Sequence, residues 1–431
     1  MRGFYAFLLL YPPAWTTSAQ LPPLVLPEGV GVNIHFVTGH EADLDMIARA
    51  GFRFIRMDFS WESIESRRGH YDWTAYEELT RNLERRQLRP LYILDYSHPL
   101  YEDRVQTTNP ITGRPEIQVA SPRKPESIQA FARWAAAAAG RYAGRGVVWE
   151  IWNEPNIFFW RPRPNVEEYL QLAEATCQAI RETDPQATLI APSLSGFDPP
   201  FMDRFLSSGI LRHLDGVSVH PYRFRQPPET AEPDYRRLRQ AIDQSTPPGR
   251  RKPIPIVSSE WGWSTDGKDV TEEQQAAYLV RQQLFHLWMG IPLSIWYDWK
   301  NDGPDPHERE HNFGTVHPDL TPKPAYRAVQ TMTRELSGYA LWFRHNLERP
   351  EDWWLVLTNA SGRQKWVAWS IAPPRPVLLP VAQPQEKSPV RLVTGLGEIQ
   401  NLWLTNGLLA LTLESLPVYL DPASFRLEKA K

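Results

Sequence analysis

The sequence predicts an α/β protein in which a (β/α)8 TIM barrel is followed by a small C-terminal antiparallel β-sandwich domain. Between residues 29 and 338, short apolar runs alternate with amphipathic helical stretches in close to eight pairs. After residue 338 the pattern changes to short alternating runs, separated by turns rich in Asn, Gly and Pro. The length of 431 residues also suits one barrel-sized domain with a smaller appendage.

The apolar runs are the predicted barrel strands, because eight parallel strands with intervening helices close into a barrel. Each run is bounded by polar residues or by glycine and proline, as strands between helices usually are. In chain order the runs are 30–34, 52–56, 91–94, 147–152, 187–191, 216–219, 254–258 and 293–297.

Capping patterns support the helices between these strands. Residues 74–77 and 271–274 both match the capping box, in which Thr and a Glu or Gln three residues later satisfy the first N–H groups of a helix. Gly51 and Gly290 each stand between a helical stretch and the next strand, where a left-handed residue ends a helix. The helix and strand patterns therefore agree on a barrel.

The end of the chain is predicted to form a β-domain of residues 338–431, after a barrel domain of residues 28–337. Asn406-Gly407 marks a turn within it, and the Pro-rich stretch 373–384 is expected to connect strands, since proline lacks the N–H that a sheet needs. We expect this domain to support the barrel structurally. Its strand-like runs are 353–358, 365–369, 402–413 and 418–420.

Residues 1–19 are predicted to be a signal peptide. Arg2 precedes the apolar run 3–11, and Thr17-Ser18-Ala19 ends the segment like a cleavage site. Cleavage there predicts a secreted or periplasmic protein. No other segment has the ~20 apolar residues needed to cross a bilayer, so we expect no membrane association after cleavage.

Composition narrows the classes of partner. A net charge of −3 and a pI near 6.4 provide no basic field for nucleic acid. Cys177 is the single cysteine, which excludes an intramolecular disulfide, and its helical surroundings predict a core thiol. The 18 Trp, 16 Tyr and 17 Phe residues favour a carbohydrate partner, because flat rings stack on sugar faces.

Two predicted strands end in a glutamate beside aromatic residues. The fourth run leads to Glu154, within Asn-Glu-Pro, and the seventh leads to Glu260, within Ser-Glu-Trp. The active sites of such barrels lie at the C-terminal ends of the strands, and a buried carboxylate is costly unless function compensates. We interpret Glu154 and Glu260 as catalytic, and Glu150 as a solvated or ion-paired surface residue without such a role.

A pair of carboxyl groups at this rim indicates glycoside hydrolysis. One carboxylic acid protonates the departing oxygen, and one carboxylate meets the developing oxocarbenium centre. In a retaining enzyme the two groups stand about 5–5.5 Å apart, which strands on facing sides of a barrel can supply. We predict Glu154 as acid/base and Glu260 as nucleophile of a retaining double displacement.

Several motifs in the same order resemble glycoside hydrolase clan A, the retaining barrel enzymes whose acid/base follows Asn on strand four and whose nucleophile ends strand seven. The resemblance covers most of residues 29–330. Segments 152–156 and 220–222 look most like family 39, which includes β-xylosidases and exopolysaccharide-cleaving enzymes; segment 260–263 fits family 5 equally well. The stretch 56–73 resembles a second-strand signature shared by several clan families.

The resemblance implies roles for residues around the two glutamates. Asn153 is expected to hydrogen-bond the sugar 2-hydroxyl, an interaction that strengthens in the transition state. Arg56 is expected to keep the nucleophile ionised and oriented, because a fixed cation lowers the pKa of a neighbouring carboxyl group. His220 and Tyr222 are expected to contact the nucleophile or the sugar.

Further residues at strand ends are expected to line the cleft. Clan members carry a Trp at the end of strand eight that floors the sugar site, so the resemblance implies this role for Trp296 or Trp299. Trp261 directly follows the predicted nucleophile and is assigned to the substrate site with them. The remaining candidates at strand ends are Asn33, His35, Asp95 and His98.

No cofactor or metal is expected for this chemistry. Residues 307–311 formally match the His-Glu-x-x-His zinc pattern, which binds zinc on a helix. Pro304 and Pro306 precede the pattern and Gly314 follows it, so we predict a loop there.

The predicted substrate is a β-linked glycan, with β-glucan or a related polysaccharide as the leading class. Two alternatives remain open from the sequence. The same mechanism would serve a transglycosidase that passes the sugar to another sugar, and a barrel that has lost its chemistry would only bind carbohydrate.

Overall fold

The computed structural model describes residues 20–109, 112–250, 252–380, 389–422 and 427, so the predicted signal peptide lies outside the described residues. The strands before residue 300 belong to the barrel or to hairpins on its rim. They are β1 Val30–Asn33, β2 Phe54–Ser60, β3 Glu65–Arg67, β4 His70–Tyr71, β5 Arg89–Asp95, β6 Arg104–Thr108, β7 Pro115–Val119, β8 Val148–Ile151, β9 Thr188–Ser195, β10 Gly216–His220, β11 Ile256–Trp261 and β12 Ser294–Trp296.

Eight of these strands form a closed parallel barrel in the order β1-β2-β5-β8-β9-β10-β11-β12. These eight are the strands predicted from the apolar runs, and the (β/α)8 fold is confirmed. Apolar side chains such as Phe54, Val148 and Ile295 fill the interior. Leu21 packs beside them near Gly216, the first residue of β10, and so covers the N-terminal ends of the strands.

Helices surround the barrel and bury one face each against it. The alanines of residues 135–139 are largely buried, and such small side chains allow close packing between neighbouring helices. The helices are α1 Glu41–Arg49, α2 Trp61–Ile64, α3 Thr74–Glu84, α4 Pro125–Arg141, α5 Val166–Thr183, α6 Pro199–Ser207, α7 Glu232–Ser245, α8 Glu272–Met289 and α9 Pro324–Glu335.

One of the two predicted capping boxes is present. Thr271 accepts a hydrogen bond from the Gln274 N–H, and the Gln274 side chain accepts one from the Thr271 N–H, so the box at α8 is confirmed. The box at residues 74–77 is wrong, because Asp72 accepts the Thr74 N–H and Thr74 is already helical. Gly51 and Gly290 have φ of 87° and 74°, the left-handed conformation predicted for them.

The C-terminal region forms antiparallel sheets with their own apolar core, as predicted. Among the described strands, β16 pairs with β19 alone, and it covers residues 375–380 of the Pro-rich stretch that was expected to be a connection. For these residues that expectation is wrong, because proline is tolerated on a strand with a free edge. Residues 381–384 of the stretch lie outside the described residues. The strands are β13 Tyr339–Arg344, β14 Asp352–Asn359, β15 Gln364–Ser370, β16 Arg375–Pro380, β17 Val390–Val393, β18 Ile399–Leu402, β19 Leu408–Leu413 and β20 Val418–Asp421.

Irregular segments and hairpins follow the barrel strands at their C-terminal ends. The hairpins β3–β4 and β6–β7 follow β2 and β5, and short 3-10 turns at 228–231 and 309–312 follow β10 and β12. A further 3-10 turn at 210–212 precedes β10. The zinc-like segment 307–311 therefore lies in a loop with a 3-10 turn, as predicted. Within the described ranges, no helix has both the length and the apolar character required to cross a membrane.

Candidate active site

The site lies at the C-terminal ends of the barrel strands, where the closed barrel brings distant residues together. Arg56 lies on β2, Glu154 follows β8, His220 ends β10 and Glu260 lies on β11. Arg56, Glu154 and His220 are almost fully buried, and the Glu260 side chain is 13% exposed. Ionisable groups this close together and this far from water fix one another's charge.

Arg56 lies at the centre of this group of buried polar side chains. Its Nε donates to Glu150 Oε2 at 2.8 Å, and its Nη1 donates to Glu260 Oε2 at 2.6 Å. Nη2 donates to Asn153 Oδ1 at 2.7 Å, and Nη1 also lies 3.3 Å from Asn33 Oδ1. One guanidinium therefore orients two carboxylates and two amides, and its position on β2 fixes them relative to the barrel wall.

Glu260 is held in its ionised form. Arg56 donates to one carboxylate oxygen, and the Tyr222 hydroxyl donates to the other at 2.6 Å. Burial by itself would raise the pKa of Glu260, but the charges of His220 and Arg56 and the two hydrogen bonds hold it below its ordinary value. The carboxylate is thus charged, oriented and still reachable from the cleft.

Glu154 has a different environment. Its Oε1 lies 2.9 Å from His220 Nδ1, and its backbone N–H donates to the Ser193 carbonyl. The other ring nitrogen of His220 faces the hydroxyls of Ser193 and Ser259 at 3.0 and 3.1 Å. Among the described residues, no guanidinium contacts Glu154, in contrast to Glu260.

The backbone near Glu154 is left-handed at three residues other than glycine. Trp152, Glu154 and Ser193 have φ of 69°, 47° and 57°. Side chains rarely adopt this conformation, and where they do the surrounding structure holds them in it. The turn that follows β8 directs Glu154 toward His220.

One carboxylate oxygen of Glu154 and one of Glu260 lie within 4.8 Å of each other. Arg56 and Tyr222 stabilise negative charge on Glu260, whereas Glu154 pairs with the imidazole of His220. Two carboxyl groups in different environments thus lie on either side of a small space, an arrangement that suits nucleophilic and acid/base chemistry.

A second polar group lies at the ends of β1 and β12. His35 Nε2 lies 3.3 Å from Asp298 Oδ2 and 3.8 Å from Asp302 Oδ2. Burial raises the pKa of Asp298 from 3.8 to about 7; burial alone would lower that of His35, but Asp298 raises it to about 9. The charges of this pair favour an imidazolium beside a carboxylate.

Two groups of described side chains have the ligand spacing that a metal ion requires. They are His35 with Asp298 and Asp302, and Glu154 with His220 and Glu260, each with ligand atoms within 4.8 Å of one another. Both groups are explained by the ion pairs and hydrogen bonds described above.

Of the other predicted cleft residues, Asp95 ends β5 and is fully buried beside Asp58. Burial and the neighbouring Asp58 carboxylate raise the pKa of Asp95 well above its ordinary value. His98 lies elsewhere, because its ring nitrogens contact the Glu65 carbonyl and the Leu100 N–H under the rim hairpins. Asn33 and His35 do lie at the site, since Asn33 contacts Arg56 and His35 contacts Asp298.

The three predicted tryptophans do not line the cleft. Trp296 stacks on Trp263, Trp261 packs against His286 of α8, and the Trp299 indole donates to Asp43 of α1. All three are at most 1% exposed. Alternation along β12 explains the position of Trp296, because Ile295 fills the barrel interior and Tyr297, two residues on, takes the inward position near Glu260.

Sequence reasoning missed Glu150, which is fully buried and paired with Arg56. The signal was present, since Val148 faces the barrel interior and alternation places Glu150 on the same side. It also missed Tyr96, whose hydroxyl accepts a hydrogen bond from the Asn153 amide at 3.0 Å.

Comparison with known proteins gives a family match over most of the barrel. A model of the cellulase family, described as glycosyl hydrolase family 5, matches residues 27–302. A curated β-xylosidase from Caldicellulosiruptor saccharolyticus is 24% identical over 231 residues, which is 48% of this chain and 45% of that protein. The match thus spans less than half the length of this relative.

Solved structures with the same architecture cover nearly the whole chain. A family 39 glycoside hydrolase from the gut symbiont Bacteroides cellulosilyticus WH2 is 26% identical with a TM-score of 0.78, over 93% of this chain and 81% of that one. A monomeric β-xylosidase from Caulobacter crescentus CB15 is 16% identical with a TM-score of 0.66, over 94% of this chain and 98% of that one. The second likeness is one of fold.

Proposed function

The chain belongs to the cellulase family, glycosyl hydrolase family 5, and from this premise we propose that it hydrolyses β-linked glycans with retention of anomeric configuration. Its resemblance to clan A enzymes of families 5 and 39 supports the assignment. Glu260 is the proposed nucleophile, because Arg56 and Tyr222 stabilise its charge. Glu154 is the proposed acid/base.

In the first step, Glu260 attacks the anomeric carbon while protonated Glu154 gives its proton to the departing glycosidic oxygen. The carbon–oxygen bond to the leaving group breaks, and an ester forms between Glu260 and the sugar. In the second step, Glu154 takes a proton from water, the water oxygen attacks the anomeric carbon, and Glu260 leaves as a carboxylate. His220 is suited to orient Glu154 through both steps.

The observation that carries this proposal is the separation of the two carboxyl groups. Retaining glycosidases hold them about 5–5.5 Å apart, whereas inverting enzymes need roughly 6.5–9.5 Å to admit a water molecule between carboxylate and sugar. Oxygens of Glu154 and Glu260 lie within 4.8 Å of each other. This spacing supports direct attack by Glu260.

For the substrate we propose β-xylosides and xylan-derived oligosaccharides. Two curated relatives are β-xylosidases, as is one of the structural neighbours. The β-glucan class expected from the sequence remains a prediction that a substrate panel tests. Export after removal of residues 1–19 also remains a prediction, and the N-terminal residue of the protein recovered from its producing cells tests it.

The first experiment compares wild type with Glu154→Gln and Glu260→Gln on aryl β-glycosides, xylo-oligosaccharides, xylan, mannan and β-glucan. Glu182→Gln, an exposed change on α5, serves as the control. We expect wild type and control to be equally active and both active-site variants to lose activity by orders of magnitude. Activity that survives both substitutions would exclude the two-glutamate mechanism.

The same reaction tests the stereochemistry of cleavage and whether water or a second sugar accepts the glycosyl group. Proton NMR at early times should show the β-anomer as the first product, and a first product with the α-configuration would contradict retention. Azide should rescue Glu154→Ala with a β-glycosyl azide and Glu260→Ala with an α-glycosyl azide. Longer oligosaccharides at high substrate concentration would identify a transglycosidase, and binding without turnover would identify an inactive carbohydrate-binding barrel.

A further inference from the structure

The loop after β10, residues 221–227, carries Tyr222 to the nucleophile. It contains no regular secondary structure and ends in the 3-10 turn Pro228–Ala231. The Tyr222 hydroxyl must stay within hydrogen-bond reach of Glu260 Oε1, at 2.6 Å, although its backbone belongs to an irregular loop. The position of this hydroxyl therefore depends on what holds the loop.

The end of the loop is held from two domains at once. In the turn, Glu229 accepts hydrogen bonds from Arg281 Nε and Nη2 of α8 at 2.8 and 2.6 Å. The Trp369 indole of β15 in the C-terminal domain donates to Glu229 Oε1 at 2.8 Å, and Arg281 Nη1 donates to Ser415 Oγ. Arg281 and Glu229 side chains are 1% and 3% exposed, so water does not replace these bonds.

The middle of the loop is held by aromatic residues next to the same arginine. The Arg281 guanidinium lies over the Tyr278 ring at 5.1 Å, and the Tyr278 hydroxyl lies 3.3 Å from the Arg225 carbonyl. The Trp263 indole packs edge-to-face against Tyr278 and donates to the Gln226 carbonyl at 3.1 Å. Contacts thus run without a gap from the C-terminal domain to the backbone three and four residues after Tyr222.

We propose that the C-terminal β-domain takes part in catalysis at a distance, by holding this loop so that Tyr222 stays on Glu260. This proposal rests on the proposed function, because it takes Glu260 to be the carboxylate nucleophile. Trp369 and Glu229 are positioning residues in this scheme, because the Trp369 indole donates directly to Glu229, whereas Ser415 of the same domain contacts Arg281. Loss of its hydrogen bond should loosen the turn and weaken the Tyr222–Glu260 bond.

The alternative is that these contacts only join two domains. A purely structural contact would change the free energy of unfolding and leave the ionisation of Glu260 unchanged. The positioning role predicts a change in the pH profile, because a weaker hydrogen bond from Tyr222 stabilises the carboxylate less and lets its pKa rise. The acidic limb of kcat/KM should then move to higher pH.

The test compares Trp369→Phe with Trp354→Phe. Trp354 is a fully buried tryptophan of the same domain that packs in its separate core, so its replacement removes a similar ring without touching Glu229. We expect Trp369→Phe to lower kcat/KM on an aryl β-glycoside by about fivefold to tenfold and to move the acidic limb upward. Trp354→Phe should lower only the melting temperature.

A double-mutant cycle with Tyr222→Phe locates the effect. If Trp369 acts through Tyr222, adding Trp369→Phe to Tyr222→Phe should cost almost nothing further in kcat/KM. Equal costs in both backgrounds would overturn the proposal, and so would identical pH profiles for Trp369→Phe and Trp354→Phe.

Hydrogen exchange separates this proposal from the proposed function, since it needs no turnover. Amides in residues 221–229 should exchange several-fold faster in Trp369→Phe than in wild type or Trp354→Phe. Unchanged exchange would overturn the positioning role even in an active enzyme. Activity that does not depend on Glu154 or Glu260 would instead overturn the proposed function, whatever the exchange rates.

Discussion

Two buried arginines organise this molecule, and they are partnered in different ways. Arg56 lies 2% exposed among two carboxylates and two amides, so its single positive charge is shared between Glu150 and Glu260. Arg281 lies 1% exposed against one carboxylate, Glu229, which it binds through two parallel hydrogen bonds. Two carboxylates share the guanidinium of Arg56, whereas one carboxylate pairs with the guanidinium of Arg281, and we call this second cluster balanced.

This difference distinguishes the proposed catalytic site from an ion pair that only holds neighbouring elements together. In the balanced cluster both carboxylate oxygens of Glu229 already accept hydrogen bonds, so proton transfer to Glu229 or ligand binding by Glu229 is not favoured. In the other cluster Glu260 shares its cation with Glu150 and remains partly accessible. A carboxylate that is incompletely neutralised and reachable is available for nucleophilic attack.

The largest expected effect comes from breaking the balanced cluster. Arg281→Met leaves Glu229 buried without its cation, and removal of one partner of a buried ion pair costs about 3–5 kcal/mol. We expect urea unfolding at neutral pH to show a loss of this size. The double variant Arg281→Met/Glu229→Gln should recover part of it; a double variant that is no more stable than the single one would contradict the balanced description.

Breaking the site cluster should affect catalysis more than folding. Arg56→Lys keeps one positive charge but cannot donate to Glu150, Asn153 and Glu260 together. We expect kcat/KM to fall by about two to three orders of magnitude, as for removal of one preorganised donor. Steady-state kinetics and a melting curve check this, and an active lysine variant would show that charge alone suffices.

A smaller change alters the number of carboxylates that share the positive charge of Arg56. Glu150→Gln removes the second carboxylate, so the positive charge of Arg56 acts on Glu260 alone. The pKa of Glu260 should fall further, and the acidic limb of the kcat/KM profile should move to lower pH. An unchanged limb would mean that Glu150 does not compete for Arg56.

The smallest expected effect concerns a third ionic contact, between α9 and the C-terminal domain. Burial opposes the charge of Glu335, but hydrogen bonds from Arg391 and Lys365 lower its pKa from 4.5 to about 2. Its stabilising contribution is therefore complete above pH 4.5 and is lost as the pH falls toward 2. The difference in unfolding free energy between wild type and Glu335→Gln should shrink over that range; a constant difference would contradict the linkage.

The barrel could be predicted because its signals are local. Each strand is a short apolar run, and polar residues at strand ends meet at one rim once the barrel closes. Glu154 and Glu260 were identified in this way, and the resemblance to clan A added Arg56, His220 and Tyr222. The structure brings these five residues into contact.

The remaining parts of the site depend on information that the sequence carries weakly. Ser193 and Ser259 contact His220 only because β9, β10 and β11 are neighbours, and a single serine gives no signal of that contact. Trp296 was misplaced because residue type was given more weight than strand alternation, which assigns Tyr297 to the inside. Alternation applied strictly from Val148 would also have identified Glu150.

The left-handed residues of the rim have a consequence for engineering. Trp152, Glu154 and Ser193 hold a conformation that costs roughly 1–3 kcal/mol per residue, whereas glycine adopts it freely. In a screen for thermostable variants, glycine would relieve this strain at position 154, where the stabilised protein would lack its proposed acid. At position 152 glycine would also remove the buried tryptophan ring, a loss of about 3–5 kcal/mol that exceeds the strain. Directed evolution of this scaffold should therefore exclude position 154, since here folding stability and turnover are selected in opposite directions.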